Sequence, residues 1–446
     1  MSRRALSWGR YPRFEQTVHP AYWPKEVPGL LQDCAKVMNH SKQADAVGTL
    51  AFGMGRSYGD SCLAAGDEVI GTSGMDRLLA VDWDTGVISA QAGLTLDALI
   101  RLAIPRGWFL SVTPGTRFVT LGGALANDVH GKNHHVGGTF GAHVRRLTLY
   151  RSDEGVVTCS PRERPELFAA TVGGLGLTGI MLSVEIQLRA VSSSQIDQRS
   201  FRFENLDEFF DLAREHDPTH EYTVAWIDCV ASGERAGRGH YMAGDHAKDG
   251  PLKVSESGHL KIPFVPPVSL VNAMSLRWFN KLYYGRHPAG ETKKRIEYAP
   301  FFYPLDGIAH WNRMYGKKGF QQYQCVVPRD GARYVIRSML GQISKSGTGS
   351  FLAVLKQFGD KVSPGLLSFP MPGVTLALDF PQRAKINEQL FSRLNAIVHE
   401  AGGRLYPAKD AQMNAEHFKQ AYPEWSQLEA LRDPQILSRF WRRVTQ

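Results

Sequence analysis

The sequence predicts an α+β protein built as two domains, and three observations carry that expectation. From residue 46 to 190, short apolar runs such as "AVGTLAFGMG", "RLLAVDWDTGVISAQAG" and "TGIMLSVEIQL" alternate with glycine clusters, the mark of strands joined by tight turns. Around residue 195 the composition turns polar, at "VSSSQIDQRS". Beyond it the rhythm is coarser. "FRFEN" leads into the amphipathic "LDEFFDLAREH", and "VTLALDF" into "KINEQLFSRLNAIVHEAGG", so strands feed helices that cover one face of a second sheet.

Residues 1–40 hold one helix, around "GLLQDCAKVMNH". Two further helices, "TLDALIRLAIPRG" and "ELFAATVGG", interrupt the strands of the first domain. In the second, Ile386, Leu390, Leu394 and Ile397 recur at helical spacing and the helix stops at Gly402-Gly403. Residues 243–300 fit this rhythm poorly. They begin polar and glycine-bearing ("AGDHAKDGPLKVSESGHLKIPF") and end aromatic near Tyr284, which predicts a mobile excursion and not a core element.

Of 446 residues, 43% are hydrophobic and 21% charged, which excludes whole-chain disorder. A formal net charge of +9 suits an anionic ligand, a membrane surface or nucleic acid, and the scattering of the basic residues argues against nucleic acid. Cys34, Cys62, Cys159, Cys229 and Cys325 are odd in number and form no CxxC pair, so neither a disulfide framework nor a zinc ribbon is expected. No apolar run follows Arg3-Arg4, and none is long enough to span a membrane. These features predict a cytoplasmic protein, free or peripheral at the inner membrane face.

Three glycine loops carry the chemistry. "GMGRSYGD" (53–60) follows a strand but opens no helix, which rules out a dinucleotide fingerprint of the Rossmann kind; its closely spaced glycines can still turn backbone N–H groups toward an anion. "TPGTRFVTLGGALAND" (113–128) leads into a helix, and Thr120, Gly122 and Gly123 place small residues at its N-terminus, where a pyrophosphate fits. "TVGGLGLTGI" (171–180) joins a helix to a strand. The second loop runs into "NDVHGKNHHVGGTFGAHV", with His130, His134, His135 and His143. These histidines lack the spacing of a helical zinc site and have no suitably placed acid or cysteine, so no metal is expected. A nucleotide cofactor whose ring approaches the backbone explains glycines and imidazoles together.

In "QQYQCVVP", Gln322 and Gln324 alternate with Tyr323 and Cys325 and would share one face of a strand. Lys356 stands in the otherwise apolar "FLAVLKQFG", where a lysine is costly unless paired or functional.

These segments, with "GGRLYPAKD" near the end, resemble the decaprenylphosphoryl-β-D-ribose 2′-oxidases, flavoenzymes of the vanillyl-alcohol-oxidase fold, over about residues 8 to 425. The resemblance implies an FAD-binding domain over 1–195, completed by 403–446, and a substrate-binding domain over 196–402. It implies FAD contacts from Gly53, Met54, Gly55, Arg56, Ser57, Tyr58, Gly59, Asp60 and Ser61 in the first loop. From the second come Gly115, Thr120, Leu121, Gly122, Gly123, Asn127, Asp128, Val129 and His130, with Ile180 and Tyr406 beyond. Lys132, Trp226, Gln322, Gln324 and Lys356 are implied around the sugar phosphate. His134, His135 and His143 are expected as structural hydrogen-bonders. Relatives that link FAD covalently use a histidine in the first loop where this chain has Arg56, so FAD is expected to be non-covalent. Ala377 stands where mycobacterial members carry a cysteine, and Thr375 also departs from their pattern.

The implied reaction is oxidation of the ribose 2′-hydroxyl of a polyprenylphosphoryl-β-D-ribose. His130 is the expected base, because an unperturbed imidazole titrates near neutrality, and Lys409 the electrostatic partner of the reduced flavin. A separate nicotinamide-dependent reductase would consume the keto sugar, completing epimerisation to the arabinose form for cell-envelope polysaccharide. Two other readings stay open: an FAD-dependent oxidase of a soluble sugar, alditol or aldonolactone, and a non-catalytic flavin-binding protein. The aromatic-basic "SLVNAMSLRWFNKLYYGRH" favours a lipid-linked substrate over a soluble one.

Overall fold

The computed structural model describes residues 3–40, 48–256 and 260–446. Ala46, Val47 and residues 257–259 of the stretches discussed above lie outside the described residues. Three sheets organise the chain. In the first, Arg3–Ala5, Gln16–Pro20, Glu68–Gly71 and Leu50–Phe52 lie side by side in that order, with the helix Val27–His40 packed on the sheet. In the second the order is Leu78–Asp82, Val87–Gln91, Ile180–Ala190, Val144–Arg151, Gly155–Cys159, and Trp108–Leu110 pairs with the far end of the long central strand. The short helix Leu96–Ala103 starts where Thr95 accepts a hydrogen bond from the Ala98 amide, and it buries Leu96, Leu99, Ile100 and Ala103.

The third sheet has eight strands: Gly290–Glu297, Gln195–Phe203, Gly239–His246, Tyr222–Ile227, Ala353–Phe358, Gly373–Pro381, Phe320–Pro328 and Arg404–Leu405. Helices Leu206–His216, Ala332–Lys345 and Ala384–Glu400 pack on it. Asn205 caps the first of them by accepting from the Asp207 and Glu208 amides. The last buries Asn387, Leu390, Phe391, Leu394 and Val398, so its core stripe lies slightly aside from the expected one, and Ile386 faces solvent at 38% exposure.

Residues 243–300 correct the sequence expectation. The strand Gly239–His246 runs into this stretch in the middle of the sheet, and Gly290–Glu297 is a full edge strand paired with Gln195–Phe203 over eight residues. "GETKKRIE" is mostly exposed and carries no apolar alternation to announce a strand; its backbone ladder and the ion pairs Arg199–Glu291 and Arg295–Asp197 across it place it. Between them lies the helix Ala273–Gly285, capped by Asn272 and pinned by Asn280, whose Nδ2 donates to Asp228 at 2.7 Å.

The last strand of the eight, Arg404–Leu405, pairs with Phe320–Pro328. The chain then returns to the first sheet, where Ile436 bridges Thr49 and Ser438 bridges Ala64. Arg443 closes this seam by bonding both Asp60 and Asp410 at 2.8 and 2.9 Å.

Candidate active site

A cavity of about 1020 Å³ is lined by residues of all three large sheets. One end is walled by the glycine loops. Thr120 caps the helix Leu121–Ala126 with its hydroxyl accepting from the Gly123 amide at 3.0 Å. A Cβ at Gly53 would stand 2.6 Å from Thr120 Oγ1, so the first two loops touch only because a side chain is missing there. A Cβ at Gly115 would meet only open space, and Gly176 of the third loop completes the wall. Bare backbone from three loops around a helix start is a site for a pyrophosphate, and a cavity at the upper end of the range for small-ligand sites has room for a dinucleotide. The residues present therefore fit FAD.

Of the residues expected at the cofactor, Gly53, Met54, Gly55, Arg56, Ser57, Tyr58 and Ser61 line the cavity, as do Gly115, Thr120, Gly122, Gly123, Asn127, Val129, His130 and Tyr406. Five others stand behind the wall. Leu121 and Ile180 are wholly buried in the core, and Gly59 is pressed so closely on Asp410 that a Cβ would lie 1.6 Å from its carbonyl oxygen. Asp60 binds Arg443. Asp128, fully buried, accepts from the Gly141 amide at 2.7 Å and from the hydroxyls of Ser363 and Ser368, so it fastens the His130 loop to the 363–368 loop. These five hold the wall from outside.

The five residues expected at the sugar phosphate also line the cavity, together with Lys409. His130 is at the centre, its ring 4.9 Å from Phe358 and 5.6 Å from Tyr406. Lys356 Nζ lies 3.0 Å from its Nδ1 and donates to the Gly131 carbonyl at 2.6 Å; the Gln324 amide stands 3.2 Å from its Nε2. Sheet register explains the convergence, because Lys356 pairs with Thr375 and Gln324 with Ala377 on adjacent strands of one face. Burial, then the charge of Lys356, holds the His130 pKa well below its ordinary value, so the ring is neutral. Burial pushes Lys356 down to about 7, helped by the charge of Lys132, and Lys132 itself to about 7. Lys132 donates to the Phe301 carbonyl, and Trp226 Nε1 to the Phe351 carbonyl at 2.9 Å.

Lys409 Nζ sits 3.8 Å over the Tyr58 ring. Burial pushes it down to about 7 against the opposing pull of Asp379. Its sequence neighbour Asp410 is engaged by Arg443 and by the Gln412 and Met413 amides. Asp379 was missed by sequence reasoning. It is wholly buried, accepts from Gln322 Nε2 at 2.7 Å, and is pushed up to about 7 by burial. A carboxylate inside the apolar "GVTLALDFP" is the same kind of signal that singled out Lys356.

The remaining histidines divide. His135 and His143 each bond a carbonyl through Nε2, of His220 at 2.9 Å and of Gly137 at 2.8 Å. His134 departs from its expected role: neither ring nitrogen has a hydrogen-bond partner among the described residues, and the ring packs 4.5 Å from Phe358. Burial pushes it down to about 3, so it serves as a neutral aromatic filler behind His130.

Arg56 stacks on Trp8 at 3.8 Å, and its Nε donates to the Phe118 carbonyl at 3.2 Å. A guanidinium here can form no histidyl–flavin bond. Acid precipitation is accordingly expected to release all the flavin, and fluorescence remaining with the denatured chain would show the opposite.

Residues 27–160 match the family model described as "FAD binding domain". The chain is 34% identical over 448 residues to decaprenylphosphoryl-beta-D-ribose oxidase of Mycolicibacterium smegmatis, covering 97% of this chain and 95% of that protein. It is 32% identical to an uncharacterized protein from the mprA 5′ region of Streptomyces coelicolor, over 76% of this chain and 96% of that one. A shorter match, 29% over 168 residues, reaches mouse L-gulonolactone oxidase, covering 37% of this chain and 36% of that protein. With the glycine-loop wall and the near-complete overlap with the first of these relatives, the chain belongs to the decaprenylphosphoryl-β-D-ribose oxidase family and is an FAD-dependent oxidoreductase.

Proposed function

We propose that the enzyme oxidises the ribose 2′-hydroxyl of a polyprenylphosphoryl-β-D-ribose to the 2′-keto sugar. The observation that carries this reading is the neutral His130 ring, held between Lys356 and Gln324 where the cofactor loops meet the eight-stranded sheet. Bound FAD supplies a two-electron acceptor for hydride from the carbinol carbon. The protein must then take the hydroxyl proton. With Nδ1–H donated to a neutral Lys356, Nε2 offers its lone pair to Gln324 N–H, and a substrate hydroxyl replaces Gln324 as the donor. As Nε2 receives the proton, Nδ1 passes one to Lys356 Nζ, and the positive charge comes to rest on the lysine. Its hydrogen bond to the Gly131 carbonyl serves the ammonium that forms. Lys409, over the Tyr58 ring, compensates negative charge arriving with the hydride. The keto product is then substrate for a separate nicotinamide-dependent reductase.

Anaerobic titration of the holoenzyme with farnesylphosphoryl-β-D-ribose should bleach the flavin with one equivalent. Bleaching by soluble aldonolactones instead would favour the reading shared with the gulonolactone oxidase match, and no bleaching by any alcohol would leave a flavin-binding protein.

The same reading includes peripheral contact with a membrane. Along the helix Ala273–Gly285, Met274, Trp278 and Leu282 recur every fourth residue and are 71, 62 and 69% exposed, with exposed Arg277 and Lys281 beside them. An apolar stripe with flanking cations suits an anionic lipid surface. No helix among the described residues is long and apolar enough to cross a membrane. Cosedimentation with vesicles containing phosphatidylglycerol is expected, and Trp278→Ser with Leu282→Ser should weaken it several-fold. Equal binding by the double variant would remove this surface from consideration.

A further inference from the structure

The helix Ala273–Gly285 and its C-cap present three different faces. Leu276, Asn280 and Tyr284 are buried, with Asn280 donating to Asp228 and Tyr284 to the Phe203 carbonyl of the eight-stranded sheet, and Met274, Trp278 and Leu282 are exposed. The third face is formed by Phe279, Tyr283 and Arg286, at helical spacing, and all three line the cavity. Phe279 stacks on Tyr283 at 5.6 Å, and Tyr283 meets Trp226 edge-on at 4.6 Å, so this face is an aromatic lip ending in a guanidinium.

The cavity-lining ammonium and guanidinium groups are Arg56, Lys132, Arg286, Lys356 and Lys409. Four of them are engaged. Arg56 binds Trp8 and the Phe118 carbonyl, and Lys132 the Phe301 carbonyl. Lys356 binds His130 and the Gly131 carbonyl, and Lys409 rests on Tyr58. The Arg286 side chain alone of the five has no hydrogen bond, ion pair or ring partner among the described residues, and it is exposed at the cavity rim.

Resting on the proposed function, we infer that Arg286 binds the phosphodiester of the lipid-linked sugar at the cavity rim, and that Phe279 and Tyr283 carry the first isoprene units away from it. The sugar then points inward to His130, and the rest of the chain leaves beside the outward apolar stripe. The chemistry is complementary at each position. A planar guanidinium with five unoccupied donors matches phosphate oxygens, and an aromatic lip matches an unsaturated hydrocarbon. Arg286 is thus a specificity residue that separates phosphoryl-linked sugars from neutral ones, and it has no part in moving the proton.

The test compares wild-type holoenzyme with Arg286→Ala and Arg286→Lys. Losing a charge-assisted bond to phosphate should raise KM for farnesylphosphoryl-β-D-ribose roughly ten- to a hundredfold, with kcat little changed, as expected for binding that is uniform through the reaction. Arg286→Lys should recover part of the loss. Independently, tryptophan-fluorescence titration with farnesyl phosphate should show the same weakening in Arg286→Ala, while binding of farnesol, which has no phosphate, stays unchanged. Unaltered affinity for farnesyl phosphate, or equal weakening for farnesol, would overturn the assignment. If the wild-type flavin is not reduced by the lipid-linked ribose, the proposed function fails. The farnesyl phosphate titration still decides whether Arg286 is a phosphate site.

Discussion

His130→Ala should slow anaerobic flavin reduction by about 10²–10⁴-fold while the protein keeps its FAD, because a positioned base contributes on that order to proton transfer. The ring is the group held at both nitrogens within the cavity, and burial keeps it neutral and ready to accept. The coupled prediction concerns pH. The lysine behind it has been brought down to about 7, and its neutral form is the one that takes the relayed proton. Values of kcat/KM should therefore rise with pH through about 7 and fall away below it. Lys356→Met removes that limb along with most of the rate. Stopped-flow reduction between pH 6 and 9 measures both. A His130→Ala enzyme reduced at the wild-type rate, or an acidic limb that persists unchanged in Lys356→Met, would dismiss the relay.

Lys409→Met should cost about 10²–10³-fold in the same measurement, the usual effect of deleting one preorganised electrostatic partner. The alternative, a surface lysine neutralised by Asp410, does not match the geometry, since Asp410 is taken by Arg443. The ammonium lies over Tyr58, and Asp379 opposes its loss of charge. The charged form is the active one here, so the alkaline limb of kcat/KM should begin near 7 in the free enzyme and disappear in Lys409→Met. A mutant with normal FAD content and normal reduction rate would remove Lys409 from the mechanism. Asp379→Asn should shift the same limb to lower pH, because the carboxylate is what favours the ammonium.

Much of the site was legible before any tertiary structure because the glycine loops are local features. Thr120, Gly122 and Gly123 are adjacent in sequence and open a helix, as their order implies. Lys356 stood out as a cation in an apolar strand, and the alternation of Gln322 and Gln324 with Tyr323 and Cys325 placed the glutamines together. What local pattern cannot express is register and distant pairing. Lys356 and Gln324 share one face because three strands align to within one residue, where a slip of one would turn each side chain to the other face, and there Lys356 meets His130, 226 residues away in sequence. Asp379 passed as part of a hydrophobic run until the fold set it beside Gln322 and Lys409. Gly290–Glu297 has no apolar face, and it is a strand through the open edge of Gln195–Phe203 and the ion pairs made across it. That edge strand follows the Ala273–Gly285 helix, and with it the sheet holds Phe279, Tyr283 and Arg286 at the cavity rim. Sequence alone therefore pointed to a wall of glycine loops and to many of the residues that line the cavity. The tertiary structure decided which charges meet, since burial and long-range pairing set their protonation and neither is a property of neighbouring residues.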